Sequence, residues 1–394
     1  MKKQTQAIHL EYERRDAYDS LSVPVYNTLA YEFDNAAVMA EAFTDKIKAP
    51  DYSRVENPTV TNLERRVAAL TDAAHATAFN SGGAPISNTL MALAAQGKNI
   101  VTSKHLFGNT YALLVATLHR FGVKVRLRDL TNIEAVREAI DDDTCCVFLE
   151  ILTNPQLEVA DLKAISEVAH KKNVPLVVDS TVIPFTQFSA KSLGVDIEVV
   201  SSSKYVSGGA TSLGGLVIDY GTPYNGDFAK RLYGEMLFNF GAYMTPQVAY
   251  MQTIGLETLD ARYRVQSSNA LELAKKLRSL PQIKYVNYVG LEDNPYHELA
   301  QRQFGKTAGA MICIDLESKE ACFSFLNNLK LIHRATNLFD NRSLAIHPAS
   351  TIFGAFSENM RKSMDVKDTT IRLSIGLEDV DDLFEDIKQA VDSL

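Results

Sequence analysis

Lys204 stands in the run Ser201-Ser202-Ser203-Lys204, directly after the apolar stretch Asp196-Ile197-Glu198-Val199-Val200 and before the loop Ser207-Gly208-Gly209-Ala210. That pattern predicts a buried strand whose end presents hydroxyls and one lysine to a loop. An amine at the mouth of an apolar strand loses part of its hydration, which lowers its pKa and frees it for Schiff-base chemistry. Taken alone, a lysine beside a turn is an ordinary surface feature. Asp179 closes a second predicted strand, and Asn154 follows a third. Strand ends are where open α/β sheets bind their ligands. Ser81-Gly82-Gly83 leads into a predicted helix, so its backbone N–H groups and the helix dipole suit a phosphate. Ser201 and Ser203 flank the lysine and can donate to the same anion, although a Gly-Gly turn and strand-end hydroxyls also have plain structural uses. Taken as a set, the amine, the carboxylate and the phosphate cradle are what pyridoxal phosphate (PLP) chemistry asks of a protein. The lysine tethers the aldehyde and later moves the Cα proton. The carboxylate keeps the pyridine nitrogen protonated and so deepens the electron sink.

The elements that must hold these groups alternate. Val60, Leu63, Val67 and Leu70 recur at helical spacing after Asn57-Pro58-Thr59. A helix is predicted over 84–96, ending at Gly97, then strand 99–102, helix 110–121, and strand 123–127. Thr131-Asn132-Ile133-Glu134 reads as a capping box opening a helix to Ile140. Strand 145–151, helix 161–172 and strands 175–179, 196–201 and 213–219 follow. Nearly continuous apolar strands separated by helices predict an α/β layer covered on both faces. Beyond about residue 245 the texture changes. One long helical pattern runs over 247–280, with Gly255 as a candidate break, and strands at 283–289, 308–316 and 371–375 are interleaved with helices at 319–329 and 380–391. The division expected is therefore an N-terminal arm (1–50) that packs on something else, a PLP-binding domain (51–245) and a smaller α+β domain (246–394).

The 394 residues, 46% apolar and 22% charged, are those of an ordinary globular protein with a large core. A net charge of −8 gives no electrostatic footprint for nucleic acid or anionic lipid. The four cysteines lack the paired spacing of a zinc or redox motif, and Cys145-Cys146 fall inside an apolar strand, so no metal is expected. With no signal-like start and no run of membrane-spanning length, the expected location is cytoplasmic.

Several short motifs extend the pattern. Tyr52-Ser53-Arg54, Asn57-Pro58-Thr59, Asn80-Ser81-Gly82, Phe107-Gly108-Asn109-Thr110-Tyr111, Thr153-Asn154-Pro155 and Val178-Asp179-Ser180-Thr181 come first. Ser203-Lys204-Tyr205, Ser343-Leu344, His347-Pro348-Ala349-Ser350 and Arg372-Leu373-Ser374-Ile375-Gly376 complete the series. In this order and over nearly the whole chain the sequence resembles the Cys/Met-metabolism PLP enzymes, the family of cystathionine γ-synthase, the cystathionine lyases, methionine γ-lyase and O-acetylhomoserine sulfhydrylase. The resemblance implies the fold-type-I architecture and a tetramer of two tight dimers. It implies Lys204 as the Schiff-base lysine, Asp179 as partner of the pyridine nitrogen, and Gly82, Gly83, Ser201 and Ser203 around the phosphate. Tyr52 and Arg54 resemble the pair that crosses from the neighbouring subunit to that phosphate, Asn154 the ligand of the 3′-oxygen, and Arg372, with Ser343 nearby, the clamp on the substrate α-carboxylate, where a bidentate fork outperforms a point charge.

The sequence also departs from that family. Phe107 stands where many members carry a ring-stacking tyrosine, so it can cover the cofactor but has no proton to exchange. Tyr52 or Lys204 must then move the proton, or the leaving group must need little help, as acetate does and a thiolate does not. Ser180, Gly209 and Phe353 replace an asparagine and two histidines, and Arg342 sits where cystathionine lyases often carry an acid. Arg342 suits either an anionic substrate group or solvent. The expected activity is γ-replacement on an activated homoserine ester by a sulfur nucleophile. The alternatives are γ-elimination, as in a methionine or cystathionine γ-lyase, and, more remotely, a PLP-binding protein with little turnover.

Overall fold

The computed structural model describes residues 1–10, 16–44, 46–306 and 308–394. Its centre is a seven-stranded sheet of β1 (His75–Phe79), β2 (Asn99–Ser103), β3 (Lys124–Arg128), β4 (Thr144–Glu150), β5 (Leu176–Asp179), β6 (Ile197–Val200) and β7 (Gly215–Asp219), in the spatial order β1-β7-β6-β5-β4-β2-β3. The run β6-β5-β4-β2-β3 is parallel, and β7 alone runs against its neighbours β1 and β6. The apolar runs read from the sequence follow from this placement, because each residue of a central strand faces one covering layer or the other. Val147, Leu149, Leu176 and Val178 point into the core shared with helices Pro58–Thr71 and Leu162–His170. Cys146, Phe148, Val177 and Val199 point into a second core closed by helix Gly83–Leu93 and the helical stretch 228–240.

The second sheet contains β8 (Tyr285–Asn287), β9 (Met311–Asp315), β10 (His333–Arg334), β11 (Leu344–Ile346) and β12 (Thr370–Ser374), ordered β10-β11-β12-β9-β8 and antiparallel except for β10/β11. Helices Leu259–Leu277, Lys319–Asn328 and Val380–Asp392 pack around it.

Several local expectations are corrected. The pattern over 247–280 is two helices, Pro246–Glu257 and Leu259–Leu277, which meet at Thr258 and not at Gly255. Gly255 serves close approach instead: a Cβ there would lie 2.0 Å from the Val206 carbonyl. Helix 110–121 is regular only over Gly108–Ala112, widens over Leu113–Thr117 and tightens over Leu118–Phe121. The cap expected of Thr131 is supplied by Asn132, whose Oδ1 accepts from the N–H groups of Glu134 and Ala135, while the Thr131 hydroxyl donates to Asp129. Strands β1, β10 and β11 have no counterpart in the sequence reading, because they are short and carry little alternation.

The arm begins with helix Lys3–His9, which lies on its own chain: Lys3 Nζ donates to the Phe188 carbonyl at 2.9 Å and Arg66 to that of Ala7 at 2.6 Å. Further on, Tyr18, Leu21, Leu29 and Phe43 are exposed. Among the described residues no helix is long and apolar enough to cross a membrane, and no cluster of His, Cys, Asp or Glu could hold a metal ion.

Candidate active site

Three neighbouring parallel strands end at one cavity of about 750 Å³. β4 ends at Glu150, β5 at Asp179, and β6 is followed within four residues by Lys204. Glu150 and Asp179 are register partners, so their carboxyls stand side by side on one sheet face. Burial pushes both up. Glu150 reaches about 8, raised by burial and then by Asp179, with the Phe107 and Asn154 N–H groups opposing. Asp179 is held up by burial and pulled down by the side chain and N–H of Thr181 and by Lys204. The Thr181 N–H donates to Asp179 Oδ1 at 2.9 Å. Lys204 is drawn down to about 8 by burial and by the Arg372 charge, against the attraction of Asp179. Its Nζ donates to Asn337 Oδ1 at 2.7 Å.

The loop after Lys204 is fixed from behind. Arg262 Nη2 donates to the carbonyls of Tyr205 at 2.8 Å and Gly255 at 2.6 Å, which ties the lysine segment to helix Pro246–Glu257. The opposite wall comes from the second sheet. Arg372 sits on β12, 3% exposed, and burial lowers its pKa to about 10. Its Nη1 donates to Asn154 Oδ1 at 3.3 Å and its Nη2 to the Asn337 carbonyl at 3.1 Å, while Nε has no acceptor among the described residues. A buried guanidinium served by two neutral oxygens is short of an anion.

The residues singled out from the sequence divide in two. Gly82, Gly83, Phe107, Asn154, Asp179, Ser201, Ser203, Lys204 and Arg372 line the cavity. Tyr52, Arg54 and Ser343 do not. Arg54 donates to the Phe238 carbonyl at 2.6 Å and lies over the rings of Phe238 and Tyr52, and Tyr52 is 39% exposed. The Ser343 hydroxyl is fully buried, donating to Glu378 Oε2 at 2.9 Å and accepting from the Gly376 N–H at 2.9 Å. Arg342 has a side chain 67% exposed and meets Asp340 at 3.5 Å, the solvent arrangement of the two considered. Ser180 donates to the buried Glu198, away from the cavity. Glu150 and Asn337 were not anticipated. Glu150 obeys the same strand-end rule that found Asp179, whereas Asn337 lies in an irregular segment with no periodic signal.

The cavity fits PLP on its own geometry. Gly82 comes so close to Ser201 that a Cβ would lie 2.2 Å from Oγ, whereas Gly83 opens onto free space at the first turn of an 11-residue helix. That leaves a bare helix N-terminus beside Ser201, a site for a phosphate, whereas the Ser203 hydroxyl donates to the Gly214 carbonyl at 3.1 Å and accepts from its N–H at 2.9 Å. The same lining offers the Asp179 carboxyl for a pyridine nitrogen, the Lys204 amine for an aldehyde and the Phe107 ring as an apolar wall. Fold and site together define a fold-type-I PLP-dependent enzyme.

The comparisons agree. The model of the family described as Cys/Met metabolism PLP-dependent enzyme matches residues 4–392, and the chain belongs to that family. It is similar to the L-methionine γ-lyase of Fusobacterium nucleatum subsp. polymorphum, 36% identical and covering 99% of this chain and 98% of that one. It is also similar to the O-acetyl-L-homoserine sulfhydrylase of Corynebacterium glutamicum, 31% identical over 98% of this chain and 95% of that one. A putative O-acetylhomoserine (thiol)-lyase from Campylobacter jejuni, solved with pyridoxyl-lysine phosphate in its chain, superposes with a TM-score of 0.95 at 34% identity over 100% of both chains. The protein is thus a PLP-dependent enzyme of sulfur amino-acid metabolism.

Proposed function

We propose that the enzyme catalyses γ-replacement on O-acetylhomoserine, exchanging acetate for a sulfur nucleophile. The observation that carries this is the charge of the cavity. Among the described residues Lys204 and Arg372 are the cations lining it, and both have assigned work. The remaining wall near Leu113, Leu338 and Ile352 is apolar, and a second carboxylate on the substrate, as in a succinyl ester or cystathionine, would be desolvated there without a partner. A neutral acetyl group suits it. Acetate also leaves without the proton that Phe107 is unable to supply.

When bound, PLP supplies an electron sink for charge developing on the substrate carbons. The chain does the rest. Gly82, Gly83, Ser201 and Ser203 would hold the phosphate, Asp179 would keep the proton on the ring nitrogen, Asn154 would orient the 3′-oxygen, and Phe107 would cover the ring and exclude water. Arg372 grips the α-carboxylate through the Nε and Nη atoms left short of an anion. Lys204 would tether the cofactor and, as a free amine, would take the Cα proton as a base whose pKa is lowered to about 8 by burial. Tyr52 and Arg54 serve the phosphate of a neighbouring subunit, which makes the dimer the unit of activity and pairs of dimers the assembly. The exposed Tyr18, Leu21 and Phe43 are the apolar surface such a neighbour covers. A cytoplasmic location belongs to the same reading.

Incubating the PLP-loaded enzyme with O-acetylhomoserine and sulfide tests this. Homocysteine and acetate are expected in equal amounts. Predominant 2-oxobutyrate and ammonia would establish γ-elimination, the reading favoured by the similarity to the Fusobacterium lyase, since the methionine side chain is equally uncharged. Neither product from any γ-substituted amino acid would leave a cofactor-binding protein with little turnover.

A further inference from the structure

Three described residues other than Gly, Asn or Asp have left-handed backbones: Leu157, Ala210 and Phe339. Ala210 lines the active-site cavity, Phe339 directly follows the lining residue Leu338, Leu157 lies three residues past Asn154, and Phe339 is the bulkiest of the three. A phenylalanine at φ +59° is a genuine outlier, since only glycine takes this conformation without a steric penalty. Such residues persist where the surroundings over-determine them. Here they do so from two sides. The Phe339 ring, fully buried, stacks parallel on Tyr205 at 4.0 Å, and Tyr205 is the residue after Lys204. The Phe339 N–H donates at 2.7 Å to Ser374 Oγ on the strand that carries Arg372. Next to it, the Asp340 carbonyl accepts from the buried Gln266 at 2.7 Å.

Asn337 hangs from this anchored turn. Its side chain accepts from Lys204 and its carbonyl from Arg372, so one residue touches both cations of the cavity. Glycine at 339 would allow the same backbone without strain but would have no ring to stack, and the turn would lose its register against the lysine segment.

We propose that Phe339 is a positioning residue that acts through Asn337: the ring stacked on Tyr205 and the left-handed backbone together hold the Asn337 carboxamide on the Lys204 amine. The inference rests on the reading of Lys204 as the reacting amine. It assigns to Phe339 an effect on the proton affinity of that amine, which an ordinary core phenylalanine does not have. An acceptor on the ammonium favours the charged form, so its loss must lower the pH at which Lys204 titrates.

The test is the pH dependence of trace acetylation of Lys204 in the full chain freed of PLP, read by peptide mass spectrometry. Asn337→Ala should lower the labelling midpoint by about one pH unit, the worth of a hydrogen bond to a charged group. Phe339→Gly should lower it in the same direction, and the double variant should match Asn337→Ala alone, because the effects share one route. In the PLP-loaded enzyme the pH midpoint of the visible band should move likewise. Should Phe339→Gly fold poorly, Phe339→Leu, which keeps much of the bulk but not the stack, gives the same comparison. A midpoint unchanged from the parent in both variants, with only the melting temperature lowered, overturns the proposal, as do additive effects in the double variant. The PLP-free titration reads the coupling alone, so its failure is distinguishable from a parent chain that takes up no PLP, which would overturn the reading of Lys204 and this inference with it.

Discussion

The floor and the wall of the cavity are built on opposite plans. The floor is the carboxyl edge of the parallel strands β4, β5 and β6, where Glu150, Asp179 and Lys204 are fixed by strand register and by helices packed behind them. The wall from the second sheet is one strand, β12, and the irregular segment 336–342, in which a strained phenylalanine and one asparagine align two cations. Regular secondary structure places the groups that the reaction needs whatever the substrate. On the proposed reading, the wall carries Arg372, the group that meets the substrate carboxylate. Damage to the two should therefore separate into lost turnover and lost affinity.

The largest effect is expected on the floor. On the proposed roles Lys204→Ala would remove both base and tether, and turnover should fall about 10⁴-fold or more, at the upper end of what a positioned base contributes. The melting temperature should scarcely move, since among the described residues the amine makes one hydrogen bond, to Asn337, and is itself desolvated. A colourless variant with parental stability is the expected observation, and substantial residual turnover would break the assignment. On the wall, Arg372→Lys keeps a charge but gives up the fork that reaches Asn154 and Asn337. KM should rise about 30- to 100-fold, some 2–3 kcal/mol, with kcat changed much less. A loss confined to kcat would place Arg372 in the chemistry and erase the contrast.

The same division explains how much could be read from the sequence. Lys204, Asp179 and Asn154 were legible because apolar runs announce buried strands and polar residues at their ends stand out. The reversed direction of β7 was not, since an apolar pentad such as Gly215–Asp219 looks the same either way. Asn337 and Phe339 were illegible for a physical reason: their conformation is imposed by distant partners, Tyr205 and Ser374, and leaves no local period or turn signature. Ser343 shows what a matched motif leaves open. It was expected beside the substrate carboxylate, and its hydroxyl bridges Glu378 and Gly376 in the fully buried interior. Ser343→Ala leaves the half-buried Glu378 carboxylate and the buried Gly376 N–H each short of a partner, which should cost about 1–3 kcal/mol of stability. KM should stay within about threefold of the parent, whereas an Arg372-like rise, tens of fold, would show that the serine reaches the substrate after all.

The smallest expected effect returns to the floor and turns on a sign. Glu150 is buried beside Asp179, and its carboxyl is raised to about 8 in the folded chain, against about 4.3 for a free glutamate. Between those values the unfolded chain has already released a proton that the folded chain retains. Where the unfolded state binds fewer protons, stability falls as pH rises. Glu150 thus costs stability progressively from about pH 5 to pH 8, and the cost is largest at the alkaline end. Glu150→Gln keeps an oxygen for the Phe107 N–H, which donates to Glu150 Oε1 at 2.6 Å, and removes the ionisation. In the PLP-free full chain the variant should match the parent at pH 5 and exceed it by about 1–2 kcal/mol at pH 8, a figure held down because the group borders a cavity that water can enter. Parallel stability curves for the two chains would mean that Glu150 is ionised in the fold at pH 5, and the floor would then carry a negative charge at Glu150 that burial beside Asp179 opposes.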